Sequence, residues 1–298
     1  MTVPNLTTLL EPSRLTAVVD IGASPFDGGD PPYKRMLEER LCSLVAFEPQ
    51  PEAWSALTAR AGSLETYLPL AVGDGSRGHL TICRASGMTS LLVPNERVLQ
   101  CFPGFSHFGE IIGGAAIETR SLDSIPEIEH IDLLKIDVQG AELSIFRGGS
   151  SKLASAVAVQ TEVSFVPLYK NQPVFGDIDL ALRSLGFIPH MFSSINKRMI
   201  LPLQLTGDPF AAINQLLEAD VVYVRDFTRT ETMTDEQLKH LGLIAHHCYG
   251  SFDLSARCID ALGARGRLPR SSITNYLEIV KTSPTMTKPN GAEMSAAA

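Results

Sequence analysis

The chain has 298 residues, 44% of them hydrophobic and 19% charged, enough for a large buried core and too apolar for global disorder. Lys and Arg total 25 against 33 Asp and Glu, and the net charge of −8 argues against a general nucleic-acid binder with its basic face. No apolar run reaches transmembrane length, and the opening MTVPNLTTLL has neither a basic region nor a long apolar one, so a cytoplasmic protein with no integral membrane association is expected.

Apolar runs bounded by turn residues alternate with helical patterns along most of the chain, the pattern of an α/β sheet. Leu15 to Ile21 reads as a buried strand ending in Asp20-Ile21-Gly22, followed by a loop, SPFDGGDPP, and a helix from Tyr33 to Leu41. Ser43 to Phe47 is a second strand closed by Glu48-Pro49, and a helix from about Pro51 carries Trp54 and Leu57 on one face. Leu64 to Val72 reads as a third strand. His79 to Arg84 and Ala116 to Leu122 read as further strands, with Ser86 to Gly114 between them as a loop region over one sheet edge.

Ile131 to Asp137 is the next strand, and Gln139-Gly140 leads into the helix AELSIFRG. Ala156 to Val163 is another buried strand, Asp177 to Leu185 a helix that Gly186 ends, and Phe187 to Phe192 and Ala219 to Arg225 are the last strands. After Asp226 only helical patterns remain: Asp235 to His247 with Thr234 as N-cap, Ser251 to Ala264, and Ser271 to Val280. The expected division is a lead-in at 1–14, a sheet domain at 15–226, a helical extension at 227–283 and a disordered tail at 284–298. The extension could pack on the sheet domain, shape an acceptor site or mediate a homodimer, and core packing is its default role.

Five cysteines, Cys42, Cys83, Cys101, Cys248 and Cys258, are scattered without CxxC spacing, which fits a reducing compartment. His246-His247-Cys248 looks like a metal cluster, but neighbouring helical residues point about 100° apart and converge poorly on one ion.

The chemistry gathers at strand ends. A strand, a tight glycine turn and a helix mark where parallel α/β sheets bind nucleotides, and Gly22 lets backbone approach a ligand closely. Glu48 ends the second strand, where an acid can accept from both hydroxyls of an adenosine ribose. After Gly22 come Ala23, Ser24, Pro25 and Phe26, so the G-x-G-x-x-G that holds a dinucleotide pyrophosphate is missing. A nucleoside without phosphates does not need it, which favours S-adenosylmethionine over NAD. Two other readings stay open: an NAD(P)-dependent oxidoreductase, and a non-catalytic binding protein that keeps the fold.

Lys135 and Asp137 lie two apart on a strand and share a face, with Asp137 at its carboxyl end. The run LLKIDVQGAELSIFRGG resembles the hallmark of the FkbM family of S-adenosylmethionine-dependent methyltransferases, with VVDIGA, AFEPQP, PLAVGD, SLDSI and QTEVSFVPLY in that family's order. The resemblance spans roughly Val18 to Arg225. It implies a class I methyltransferase fold, a Rossmann-like, mostly parallel seven-stranded sheet with helices on both faces and its last strand antiparallel. It also implies methyl transfer to a hydroxyl of a glycan, sugar or natural-product acceptor. By the same resemblance Asp20, Gly22 and Ala23 match the cofactor turn, with Ser24 where relatives carry Asn, and Glu48 with Pro49 matches the ribose acid. Leu70 and Ala71 lie where the third strand passes the adenine, and Asp137 and Gln139 match the segment beside the methionine moiety. Ser90 is a substrate-pocket candidate on the same ground.

A hydroxyl acceptor must lose its proton as the new bond forms, and a carboxylate or histidine can take it. Asp137 and Glu162 at strand ends are candidates, and Glu142 opens the next helix, where an acid is also favoured by the helix dipole. Two such acids could alternatively hold a divalent metal, although nothing in the sequence indicates one. His107, among Phe102, Phe105 and Phe108, is a candidate for catalysis or acceptor binding if that aromatic loop is a lid rather than a piece of the core.

Overall fold

The apolar runs become strands whose side chains are buried on both faces, as expected of a parallel sheet covered by helices. The computed structural model describes residues 5–23 and 29–282, in two compact units. The first comprises Thr16–Asp30 and Cys42–Asp226, and the second Met1–Leu15, Pro31–Leu41 and Phe227–Ala298.

Ten strands run through the sheet unit: β1 Thr16–Ile21, β2 Cys42–Phe47, β3 Glu65–Leu68, β4 Ala71–Gly73, β5 Arg77–Cys83, β6 Ile111–Ser121, β7 Leu133–Ile136, β8 Ala158–Ser164, β9 Phe187–Arg198 and β10 Gln215–Arg225. Seven of them form one sheet in the order β3-β2-β1-β7-β8-β10-β9. β3, β2, β1, β7 and β8 run parallel, and β10 runs against both of its neighbours. This is the class I methyltransferase arrangement, with β9 and β10 as the closing antiparallel pair. Helices Pro51–Thr58, Glu142–Arg147 and Phe175–Ser184 connect its strands, and the core runs from Val19 and Ile21 through Leu134 and Ile136 to Val221 and Tyr223.

Three sequence expectations are corrected here. The run Leu64 to Val72 is two strands in two sheets: Pro69 offers no N–H to a ladder, β3 ends at Leu68, and β4 pairs instead with β6. The stretch Ser86 to Gly114 is not one loop, since it holds short helices at Glu96–Leu99 and Phe105–Phe108 and the start of β6 at Ile111. β6 is exposed along its first half and so lacks the apolar alternation that betrays a strand. The last hairpin is also longer than expected, because residues 193–198 continue β9 with side chains that are polar apart from Ile195 and alternate between exposed and half-buried.

The second unit contains helices Leu6–Leu10, Lys34–Glu38, Asp235–Tyr249, Phe252–Ala264 and Ser272–Thr282. The segment around Lys34–Glu38, read from sequence as part of the sheet domain, belongs here. Thr234 caps its helix in a reciprocal box: Gln237 N donates to Thr234 Oγ1 at 3.1 Å and Thr234 N to Gln237 Oε1 at 2.9 Å. Leu238, Leu241, Leu243 and Ile244 are buried within the unit. His246, His247 and Cys248 turn to three different partners, Tyr276, Glu39 and Met36. No helix among the described residues is long and apolar enough to cross a membrane.

Arg225 clamps the far end of the sheet. Its guanidinium lies 4.2 Å over the Phe187 ring and donates to the carbonyls of Ala156, Leu153, Ala154 and Leu185. Arg225→Met keeps the apolar stem but leaves these acceptors without their donor, at about 1–3 kcal/mol for each carbonyl left buried and unmatched. We expect urea unfolding followed by Trp54, the single tryptophan and a residue of the sheet unit, to show a loss of about 2–4 kcal/mol.

Candidate active site

Parallel register sets the site. Ile21 pairs with Phe47 on one side and Ile136 on the other, so Gly22, Glu48 and Asp137 emerge level at three adjacent strand ends. Gly22 N and Ala23 N both donate to Phe47 O at 3.1 Å, and Asp137 N donates to Ile21 O at 3.0 Å. Gly22 has φ +85°, and a Cβ there would collide with the Asp137 carbonyl oxygen. Only glycine satisfies both constraints.

These strand ends border a cavity of about 290 Å³, close to the lower end of the roughly 300–1,000 Å³ range of small-molecule sites. It brings together Gly22, Glu48, Pro49, Leu70, Ala71, Ser90, Asp137 and Gln139, residues that the sequence separates widely. Glu48 is buried, and Gln50 N donates to its Oε1 at 2.7 Å, which fixes the turn after β2. Ser90 Oγ donates to the Gln139 carbonyl at 2.7 Å and so ties the segment after β5 to the turn after β7. Sequence reasoning missed Gln50, Ala53, Thr89, Leu91 and Ile117 in the wall. Ile117 lies on the exposed β6, and Thr89 and Leu91 lie in the stretch read as a loop, so no local pattern marked them. Among the described residues the lining carries two carboxylates, Glu48 and Asp137, and neither lysine nor arginine.

From Asp137 the cavity wall continues into a layer of acids. Gln139, held at φ 55°, donates through Nε2 to Asp137 Oδ1 at 2.7 Å and to Glu162 Oε2 at 3.4 Å. Glu142 Oε1 accepts from Val138 N and Gly140 N, both at 3.1 Å. Asp137, Glu142 and Glu162 each bring an oxygen within 4.8 Å of the others, a spacing met here by N–H donors from Gln139 and the backbone. Burial pushes Glu142 up to about 7 against the pull of those backbone bonds, with the Asp137 charge adding to the rise. Burial also raises Glu162 well above the usual carboxylate range, reinforced by Asp137, Glu218, Glu142 and Asp220.

Other expected residues fall outside the cavity lining. Asp20 is buried and takes Lys135 Nζ at 3.1 Å. Burial pulls the Lys135 pKa down, but the charges of Asp20, Asp137 and Asp220 outweigh it and hold the ammonium form. Ala23 is buried beside the turn, and Glu142 and Glu162 lie in the acid layer. His107 does not join this group: Phe102 and Phe105 are buried in a separate core cluster with Phe108 against it. That packing leaves the His107 side chain 67% exposed, 3.9 Å from Glu110. The aromatic loop is therefore part of its own domain's core. Ser24 lies outside the described residues, as does the tail expected at 284–298.

The Methyltransferase FkbM domain family matches residues 20–189, more than half of the chain. A curated relative, the 2-O-methyltransferase NoeI of Sinorhizobium fredii (strain NBRC 101917 / NGR234), is 29% identical over 178 residues, covering 55% of this chain and 70% of its own length. Among solved structures, methyltransferase FkbM from Methylobacillus flagellatus KT matches with TM-score 0.40 and 13% identity over 70% of this chain. The match spans 43% of that protein's length. Magnesium protoporphyrin IX methyltransferase from Synechocystis PCC 6803, solved with bound SAM, matches with TM-score 0.36 and 11% identity, covering 74% of this chain and 76% of its own.

The buried Glu142 has a consequence for stability. Between its ordinary value of 4.5 and about 7 the unfolded chain has lost this proton while the folded chain keeps it, so stability falls as pH rises through that window. The loss is about 3 kcal/mol at 1.36 kcal/mol per pH unit, and Glu162 acts in the same direction. Glu142→Gln keeps an acceptor for the two backbone N–H groups and removes the titration. Urea unfolding from pH 4.5 to 7.5 is expected to show a variant whose stability declines with pH by about 3 kcal/mol less than the parent's.

Proposed function

The chain belongs to the FkbM methyltransferase family, and on that premise we propose that it transfers a methyl group from S-adenosylmethionine to a hydroxyl of a sugar, glycan or natural-product acceptor. The observation that carries this reading is the cavity at the ends of β1, β2 and β7, walled by Glu48 and Asp137 and, among the described residues, without a lysine or arginine in its lining. Bound there, S-adenosylmethionine supplies an electrophilic methyl group on a cationic sulfur. A site with two carboxylates and no cation suits that charge, whereas a dinucleotide pyrophosphate would meet repulsion, which counts against the NAD(P) alternative.

Each part of the wall has a role on this reading. Gly22 keeps the turn after β1 low, so that backbone rather than a side chain borders the ligand. Glu48, already oriented by Gln50 N, offers carboxylate oxygen to the ribose hydroxyls. Leu70 and Ala71, with Val72 and Ile117, give the adenine an apolar slot. Asp137 and Gln139 face the sulfonium end. The relative NoeI is a 2-O-methyltransferase, which supports a hydroxyl as acceptor. The free cysteines support a reducing, cytoplasmic location.

Glu48→Ala tests the assignment. It removes charge-assisted hydrogen bonds of about 1.5–3 kcal/mol each. Losing two should weaken S-adenosylhomocysteine binding by roughly two to four decades. For the fold, the loss of the bond to Gln50 N costs about 1 kcal/mol. Glu48→Gln, which keeps one acceptor oxygen, should be milder. Titration calorimetry and urea unfolding on the same samples separate the two effects, and unchanged affinity in Glu48→Ala would remove the ribose role.

A further inference from the structure

We propose that Glu162 is the catalytic residue that takes the acceptor's hydroxyl proton, that Gln139 positions it, and that arrival of the cationic methyl donor ionises it. The inference rests on the methyl-transfer reading above and deepens it.

Glu162 sits on β8, half-buried, with a carboxylate oxygen within 4.8 Å of one on Asp137 and 3.4 Å from Gln139 Nε2, the two residues that form the adjoining cavity wall. Carboxylates face it from every neighbouring element: Asp137 after β7, Glu142 at the start of its helix, and Glu218 and Asp220 on β10, where Asp220 lies directly across the ladder. Tyr169, from the segment after β8, also faces it; its hydroxyl donates to Met88 O at 3.1 Å and lies 3.4 Å from Gln139 Oε1. Lys135 is held by Asp20, and the Arg198 charge acts on Glu218. So many carboxyls at such spacing do not all ionise together.

Above about pH 7, where Glu142 has also given up its proton, geometry says which acid keeps one. Asp137 has the short Gln139 bond of 2.7 Å, and Glu142 rests on two backbone N–H groups, contacts that favour the ionised forms. Glu162 has the long Gln139 contact, 3.4 Å. Two carboxylate acceptors on one side of Gln139 require its NH2 group there, so a single amide joins the wall of the donor site to the proton-holding acid. A positive charge arriving beside Asp137 and Gln139 favours the ionised form of Glu162 and releases its proton to solvent. As the acceptor oxygen then takes the methyl carbon and sulfur keeps the electron pair of the broken C–S bond, the hydroxyl proton passes to the Glu162 carboxylate.

S-adenosylmethionine and S-adenosylhomocysteine differ at the sulfur by a methyl group and a charge, so proton release should distinguish them without any acceptor. Calorimetry on the full-length protein, in buffers of different ionisation enthalpy, should show up to one proton released per S-adenosylmethionine bound and none for S-adenosylhomocysteine. Affinity for the charged ligand should rise with pH, approaching about tenfold per unit where Glu162 titrates, while that for the neutral ligand stays flat. Glu162→Gln should bind both ligands without the release. Gln139→Met, which removes an N–H donor that favours the ionised acid, should move the release to higher pH. Equal release with both ligands, or release that survives Glu162→Gln, overturns the assignment alone. Failure of the parent protein to bind either ligand overturns the methyl-transfer reading and this assignment with it.

Discussion

Gly22 and the Asp137 carbonyl oxygen approach so closely that no side chain fits between them, and the site depends on that contact. It couples the turn after β1 to the turn after β7, while the paired N–H bonds from Gly22 and Ala23 to Phe47 O couple the same turn to β2. Three strand ends are thereby locked at one height. Glu48 and Asp137 then face a common space from opposite sides, and the residues following each strand must bend away from it.

Locking strand ends together also concentrates negative charge. Asp20, Asp137, Glu142, Glu162, Glu218 and Asp220 all lie near the carboxyl edge of the sheet. The protein handles them in three ways. Lys135 neutralises Asp20 deep between β1 and β7, where removing either partner would strand the other. Backbone and amide N–H groups hold Glu142 and Asp137, and the Ser194 hydroxyl donates to Asp220 at 2.6 Å. Glu162 and Glu218 remain without such backbone donors among the described residues and, like Glu142, have carboxyl groups pushed upward, chiefly by burial. Such raised carboxyls disfavour the folded state at neutral pH, and their place beside the cavity wall gives them a functional reading, since perturbed titration gathers where proton transfer is needed.

Much of this was legible in sequence. The buried strands β1, β2, β7, β8 and β10 stand out because apolar runs closed by Gly, Pro or an acid admit few other readings, and the KIDVQGAE segment carried the family resemblance. What escaped notice had weak local signals. β6 is exposed over half its length, the end of β9 is polar, and the split between β3 and β4 depends on which partner takes each half after Pro69 breaks the ladder. His107 looked chemical because aromatic residues surround it, yet those aromatics packed with Met88, Leu99 and Tyr169 and left it in solvent. The acid layer needs tertiary information, since Glu218 and Asp220 meet Glu162 only through antiparallel pairing across the last hairpin.

The central claim is that the cavity between β1, β2 and β7 is the methyl-donor site, entered with ribose toward Glu48 and sulfur toward Asp137 and Gln139. A crystal structure of the full-length protein with S-adenosylhomocysteine tests it most directly. The account predicts both ribose hydroxyls within hydrogen-bond distance of the Glu48 carboxylate, the adenine against Leu70 and Ala71, and the sulfur beside Asp137. A ligand bound elsewhere, or lying in the cavity with its ribose away from Glu48, would contradict it.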